Sequence, residues 1–208
     1  MKNTEIEFKW DANEPRAFAR MEKAVKQIDV CIKTKQKIYI CDVYVDTPQH
    51  DFEKQKIAMR IRQTGKHWQA TFKTRTEVIG GKAVRREETC NLTGVKNIRG
   101  ALVALQKKKI WCGLQVAQLH PIFKLTNHRN IQLLQGKGLQ AELALDTCKL
   151  LVHGRQLLFK EIELELKRGE ASKLDKLAGE LTRMSGLKPA RVSKVQTAVA
   201  LWKLWEEK

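Results

Sequence analysis

The sequence predicts an α+β fold: a closed, eight-stranded antiparallel β-barrel with helices packed outside. Three observations point there. About eight segments alternate apolar and charged residues with the two-residue period of a strand. Only a few helical segments interrupt them, which suits antiparallel strands in one domain, residues 1–208. Closing such a sheet also removes its exposed edges.

Taken in order, Thr4 to Trp10 alternates strictly and reads as the first strand. Glu14-Pro15 opens a helix, with proline in its first turn, and Ala17, Phe18, Met21, Ala24, Val25 and Ile28 form its apolar stripe. Lys37 to Val45 is rich in β-branched residues and ends at Asp46-Thr47-Pro48, where proline cannot continue a ladder. Ile57 to Gln63 and His67 to Glu77 follow as strands. Gly80-Gly81 is a hairpin turn, leading into a strand from Lys82 to Leu92.

Val95 to Leu119 reads as helix-rich, with Lys107-Lys108-Lys109 inside it. Strand character resumes at Pro121 to Gln135, Leu139 to Leu151 and Gln156 to Lys167. Ser172-x-x-Asp175 resembles a capping box opening a helix to about Met184, and Ser193-x-x-Gln196 opens the last helix.

Composition bounds the function. With 42% hydrophobic and 30% charged residues the balance is that of a globular domain, not a disordered chain. No apolar run approaches the roughly 20 residues of a membrane helix, and the N-terminal residues lack an apolar leader. Five cysteines (Cys31, Cys41, Cys90, Cys112, Cys148) stand singly, without zinc spacing. They read as buried thiols in a reducing compartment, which predicts a cytoplasmic location. The five histidines show no clustering and are assigned loop or surface roles. The tryptophans are expected to pack helices on the barrel. A formal net charge of +17 points to a polyanionic partner.

Strand side chains alternate between faces. Glu5, Glu7 and Lys9 therefore share one face, with Ile6, Phe8 and Trp10 opposite. Arg60 shares a face with Arg62, and Arg85 with Glu87. Lys73 lies with Thr71, and Glu142 with Asp146. Glu161, Glu163 and Glu165 share a face, with Ile162, Leu164 and Leu166 opposite. Three glutamates in a row repel one another unless cations sit between them. If the apolar faces turn outward under helices, the barrel interior becomes a charged tunnel. Lysines and arginines there neutralise phosphate oxygens, and clustered carboxylates bind hard divalent cations.

These same residues resemble those of a known family. Glu5-Ile6-Glu7-Phe8-Lys9 resembles the ExExK signature of CYTH proteins, the triphosphate tunnel metalloenzymes. Tyr44 to Pro48, Met59 to Arg62, Thr71 to Lys73, Arg85 to Glu87, Arg129, Glu142 to Asp146, Glu161 to Leu166 and Ser193-Lys194 resemble the family's further segments, in order, across nearly the whole chain. Val45, and Asn127-His128 before Arg129, depart from the aromatics usual there. The resemblance is nearest to bacterial inorganic triphosphatases. It implies hydrolysis of inorganic triphosphate to pyrophosphate and phosphate with Mg²⁺ or Mn²⁺. Thiamine triphosphatase and class IV adenylyl cyclase are the alternatives; the His-Phe pair that precedes ExExK in the cyclases is missing here.

The implied site has Lys9, Arg60, Arg62, Lys73, Arg85, Arg129 and Lys194 on phosphate oxygens. Glu5, Glu7, Glu161, Glu163 and Glu165 hold metal, and Glu87 orients the attacking water. Glu142 and Asp146 are alternatively structural acceptors for tunnel arginines. Seven assigned cations balance seven assigned carboxylates (Glu142 counted with the metal and water carboxylates), so the +17 lies outside the tunnel. That predicts, as a reading of another class, binding of polyphosphate or another polyanion on the outer surface. Lys33, Lys35, Lys37, Lys54, Lys56 and Lys107 to Lys109 are the candidates.

Overall fold

A computed structural model describes residues 4–74, 78–136 and 138–206. In chain order the elements are β1 (Thr4–Asp11), α1 (Ala17–Lys26), β2 (Cys31–Asp46), α2 (Asp51–Lys54), β3 (Ile57–Thr64), β4 (His67–Thr74) and β5 (Lys82–Asn91). Then come α3 (Ile98–Gln106), the short strands β6 (Ile110–Trp111) and β7 (Leu114–Gln115), β8 (His120–Gly136), β9 (Leu139–Val152) and β10 (Arg155–Arg168). Helices α4 (Ala171–Ser185) and α5 (Lys194–Glu206) complete the chain. Eight strands close into an antiparallel barrel in the order β1-β10-β9-β8-β2-β3-β4-β5, with β5 pairing back to β1. No described helix is long and apolar enough to cross a membrane.

The barrel is apolar outside and charged inside over most of its length. Helices α1 and α4 cover the outward faces of β1, β9 and β10: Trp10, Leu143, Ile162 and Leu164 pack against Met21, Leu174, Leu177 and Leu181. Trp10 also donates its indole N–H to Thr182 Oγ1 at 2.8 Å. A second cluster sets Ala101 and Leu105 of α3 and Phe52 of α2 against Met59, Ile61 and Phe72. At one end the inward side chains turn apolar: Tyr44, Phe123, Leu125, Cys148 and Leu150 meet Ala198 and Trp202 of α5. Helix α5 thereby closes that end. Its predicted capping box is formed. Gln196 N–H donates to Ser193 Oγ at 3.2 Å, and Ser193 N–H to Gln196 Oε1 at 2.7 Å.

Several boundaries differ from expectation, each for a local reason. Strand β2 starts at Cys31, not Lys37, because its polar first half pairs with β8 alone. The Val95–Leu119 segment is helical only over Ile98–Gln106; the lysine run then leaves the helix, and positive φ at Lys109, Cys112 and Gly113 folds the β6–β7 hairpin. Of the expected strand His67–Glu77, residues 75–77 lie outside the described residues. Pro15 precedes α1 rather than entering it; Arg16 holds the left-handed conformation before the first turn. The Ser172 capping box does not form. Helix α4 starts one residue earlier, and Ser172 Oγ bonds the Glu170 carboxylate at 3.3 Å instead.

The one-turn helix α2 was not foreseen. The Asp46 carboxylate makes it, accepting the N–H groups of Thr47, Phe52 and Glu53 at 2.7, 3.0 and 3.0 Å. The cysteines are free, but only Cys148 is buried. Two histidines do meet: the His50 and His120 rings lie 6.2 Å apart, with His50 edge-on to Trp202 at 4.6 Å.

The Gly80-Gly81 turn sets the position of Lys9. Gly81 O accepts the Lys9 N–H at 2.8 Å, and Lys9 O accepts the Ala190 N–H at 2.9 Å. Gly81 has φ 86°, and a Cβ there would lie 2.7 Å from Lys9 O and 2.9 Å from Pro189 Cβ. Gly80 has φ 57° with open space around it. Gly80→Ala is therefore expected to cost about 1 kcal/mol, from backbone strain alone. Gly81→Ala should cost more than about 2 kcal/mol, since backbone must also shift. Urea unfolding of the two variants checks the difference.

Candidate functional site

Period-two alternation on a closed barrel carries the predicted charged rows inward. The result is a cavity of about 590 Å³ lined from all eight barrel strands and the start of α5. It holds Glu5, Glu7 and Lys9 of β1, Arg60 and Arg62 of β3, Lys73 of β4, and Arg85 and Glu87 of β5. Arg129 of β8, Glu163 and Glu165 of β10 and Lys194 of α5 complete the predicted set. Glu161 points inward too but lies behind Lys194, off the cavity surface.

Three groups of ion pairs organise the walls. At the closed end, Lys194 Nζ sits among Asp146 Oδ2 (2.5 Å), Glu161 Oε2 (2.7 Å) and Glu163 Oε1 (3.0 Å). Those three carboxylates have oxygens within 4.8 Å of one another, and the ammonium makes that proximity affordable. Arg129 binds Asp146 bidentately at 2.8 and 2.6 Å and also reaches Glu163. Lys9 Nζ bonds Glu7 Oε2 at 2.9 Å and Glu163 Oε1. Along the wall, Arg85 spans Glu5 (2.5 Å) and Glu7 (2.6 Å), while Lys73 spans Glu5 (3.1 Å) and Glu87 (2.5 Å). At the open end, Lys167 pairs with Glu165 at 2.8 Å and Glu142 at 3.6 Å.

Sequence reasoning missed part of this. Asp42 of β2 is buried and grips Arg62 bidentately at 2.7 and 2.8 Å, with Arg60 at 3.5 Å. A lone carboxylate in the middle of a β-branched strand was the available signal. Tyr44, two residues on, turns its hydroxyl to Arg60 and stacks on Phe123 at 4.6 Å. Lys167 and Asn127 also face the cavity. Asp146, read as one alternative, is fully buried and serves Arg129 and Lys194 together.

Charge and burial compete at each group. Burial raises the Glu5 pKa, but Lys73 and Arg85 more than offset it and hold the carboxylate below its ordinary range. Asp42 and Asp146 are likewise held low by arginines and, for Asp146, by Lys194. Burial dominates at Glu161 and pushes it up to about 7. Lys73 goes the other way. Burial, Arg60 and Arg85 bring it down to about 8, and Glu5 and Glu87 only partly offset them.

Among the described residues six buried side-chain atoms have no hydrogen-bond partner; three belong to cavity-lining residues, Asn127 Oδ1, Arg60 Nε and Glu7 Oε1, and the last two are ionic and of opposite kinds. Arg60 Nε is a cationic donor without an acceptor; its carboxylate contacts run through the Nη atoms at 3.5 and 3.9 Å. Glu7 Oε1 is an anionic acceptor without an aligned donor, although Arg85 lies at 2.6 Å. A buried group left so costs about 1–3 kcal/mol. The cavity thus suits an anion and a cation together.

Comparison with known proteins assigns the chain. Residues 3–199 match the CYTH domain. The chain belongs to the CYTH family. An inorganic triphosphatase of Haemophilus influenzae is 30% identical over 139 residues, which is 67% of this chain and 39% of that protein. The chain therefore spans about two fifths of that relative's length.

Among solved structures, a Hippeastrum protein described as having a dominant triphosphatase activity aligns with TM-score 0.67 and 17% identity, over 94% of this chain and 95% of that one. A Pyrococcus horikoshii protein aligns at 0.60 and 21%, over 98% and 99%. The Mimivirus capping enzyme triphosphatase aligns at 0.58 and 11%, over 89% and 91%. At these identities the likeness is one of fold, and the closed barrel is the CYTH barrel.

The low Lys73 pKa gives a signed prediction. In the empty tunnel the ammonium loses its proton as pH rises through about 8. An anion bound beside it raises its pKa again, so binding in that window takes up a proton. Metal-free triphosphate binding should weaken about tenfold between pH 7 and 9, with proton uptake near pH 8.5. Lys73→Arg, always charged, should remove both. Calorimetry in buffers of different ionisation enthalpy measures them.

Proposed function

We propose that the tunnel binds inorganic triphosphate with a divalent metal ion and hydrolyses it to pyrophosphate and phosphate. The observation that carries the reading is that two of the unsatisfied buried atoms, the cationic Arg60 Nε and the anionic Glu7 Oε1, face one charged cavity inside the barrel. Phosphoryl transfer asks a protein mainly for positioning and charge neutralisation, and the tunnel walls supply both. The curated inorganic triphosphatase relative and the triphosphatase structures with the same fold support it.

The donor set fits a hard cation such as Mg²⁺ or Mn²⁺: all its anionic atoms are carboxylate oxygens. Of the five predicted ligands, Glu5, Glu7, Glu163 and Glu165 face the cavity and would hold it, while Glu161 lies off the cavity surface. When bound, the ion neutralises phosphate oxygens and polarises the phosphorus they surround.

The remaining steps belong to side chains. Arg60, Arg85, Lys73 and Arg129 take the phosphate oxygens, and the arginines can do so bidentately. Lys9 and Lys194, at the closed end, stabilise the charge that develops there. Glu87, anchored by Lys73 at 2.5 Å, orients the attacking water and accepts its proton. The water oxygen bonds to the terminal phosphorus, the anhydride P–O bond breaks, and pyrophosphate leaves with that electron pair.

One feature favours an inorganic substrate over thiamine triphosphate or ATP. Among the described lining residues the single aromatic ring is Tyr44, which is already stacked on Phe123. No lining ring is left free to stack on a base or a thiazolium.

The test is phosphate release from inorganic triphosphate, thiamine triphosphate and ATP, side by side, with Mg²⁺, with Mn²⁺ and with chelator. Metal-dependent release from inorganic triphosphate, well ahead of the others, is expected. Cyclic AMP and pyrophosphate from ATP would make the protein a cyclase instead. Glu7→Gln, which keeps shape and removes charge, should lower kcat at least a hundredfold while far-ultraviolet circular dichroism stays unchanged. Retained turnover would remove Glu7 from the metal set.

A further inference from the structure

We propose that the outer face of the barrel formed by β2, β8, β9 and β10 is a binding platform for single-stranded nucleic acid. The proposal is independent of the tunnel chemistry. It starts from the charge balance. Inside the tunnel, carboxylates match or outnumber cations once Asp42, Asp146 and Lys167 are placed there, so the whole surplus of +17 lies outside.

Strand register shows where part of it gathers. Tyr39, His128, Thr147 and Lys160 form one cross-strand row. Cys41, Thr126, Lys149 and Leu158 form the next, and Val43, Lys124, Leu151 and Gln156 the third. Lys37 and Asn130 continue the face on its other side. None of these positions is a carboxylate. Lys37, Lys124, Lys149 and Lys160 are all exposed; Lys160, at the edge of the face, has its Nζ 5.6 Å from the Phe18 ring of α1.

Two other cations on the barrel exterior are paired: Arg86 with Glu88 on β5, and Lys82 with Asp175 of α4 at 2.6 Å. Across a sheet face, opposite charges in register stabilise and like charges repel. A set of lysines with no interleaved acid is therefore complementary to a line of phosphates rather than to its own neighbours.

The aromatics decide which polyanion. Tyr39 is 51% exposed, and its ring lies 4.9 Å from that of His128. Beside it, between β2 and the β3–β4 turn, is a hollow of about 410 Å³ lined by Ile38, Tyr39, Cys41 and Gln63. An exposed ring pair on a basic sheet, with room at its edge, offers a stacking surface for unpaired bases. Polyphosphate has no face to stack. A duplex hides its bases and presents its major groove to a helix or narrow ribbon, not to a face four strands wide.

The experiment is fluorescence anisotropy with a 5′-hydroxyl 20-nucleotide single strand in chelator, so that the tunnel has neither triphosphate nor metal to engage. Binding should be tight at low salt and fall steeply as salt rises, because counterions are released. Tyr39→Ala with His128→Ala should weaken it about tenfold or more, and Tyr39→Phe should leave it unchanged. Reversing Lys124, Lys149 and Lys160 to Glu should weaken binding and flatten the salt slope by roughly two. All variants should keep wild-type triphosphate turnover, since none of these residues lines the tunnel.

Binding that ignores the aromatic changes, or a polyphosphate chain that competes equally per phosphate, would make the surface a general polyanion patch and overturn the proposal. A preference for duplex, or no binding at low salt, would overturn it too.

Discussion

Pairing of buried charge is the constraint on which this structure depends. A barrel whose interior carries rows of glutamate, lysine and arginine is viable only if almost every ion meets its opposite away from water. Asp146 shows the rule most simply: fully buried, it pairs with both Arg129 and Lys194, and Glu161 and Glu163 supply the remaining negative charge. Removing such a partner would leave cations stranded, at a cost of about 3–5 kcal/mol. The same pairing fixes the fold around it. Apolar residues displaced from the interior must face outward, so the helices that cover them are required, and α5 must seal the one end where the interior is apolar.

That arrangement explains why the tunnel is poised for a metal–anion pair and not for an anion alone. Apart from Arg60 Nε, its cations are already engaged by carboxylates. A triphosphate entering by itself would have to pull Arg85 and Lys73 from Glu5, leaving the carboxylate exposed to the new negative charge. A dication arriving with it takes over the carboxylates as the phosphates take over the basic groups. Lys73, the one cation in the set whose pKa burial and like charge depress, marks where positive charge is most crowded before ligand arrives.

Much of this could be read in the sequence because strand periodicity and charge are local. Glu5-x-Glu7-x-Lys9 and Glu161-x-Glu163-x-Glu165 alternate so strictly that face, strand and interior follow together. The gaps have physical reasons. Asp42 sits in a run of β-branched residues whose alternation its neighbours do not advertise; only the cross-strand partner Arg62 shows its purpose. The first half of β2 is polar on both faces, as a free edge tends to be, so pattern alone starts the strand too late. Helix α2 exists because the Asp46 carboxylate accepts two of its N–H groups together with that of Thr47, which no periodicity records. Glu161 and Glu163 are equivalent in sequence, yet only Glu163 reaches the cavity, and Lys194, from the far end of the chain, pairs with both. The pairing of His50 with His120 is likewise a product of long-range closure.

The central claim is that metal and triphosphate enter together because the empty tunnel is internally neutralised. The most direct measurement is calorimetric titration of inorganic triphosphate into the Glu87→Gln protein, a variant chosen to block turnover, in chelator and with Mg²⁺ or Mn²⁺. The account predicts that metal tightens triphosphate binding by about a hundredfold or more, and that triphosphate tightens metal binding by the same factor. Equal affinity with and without metal would mean that the basic groups are free for phosphate in the empty barrel, and would contradict it.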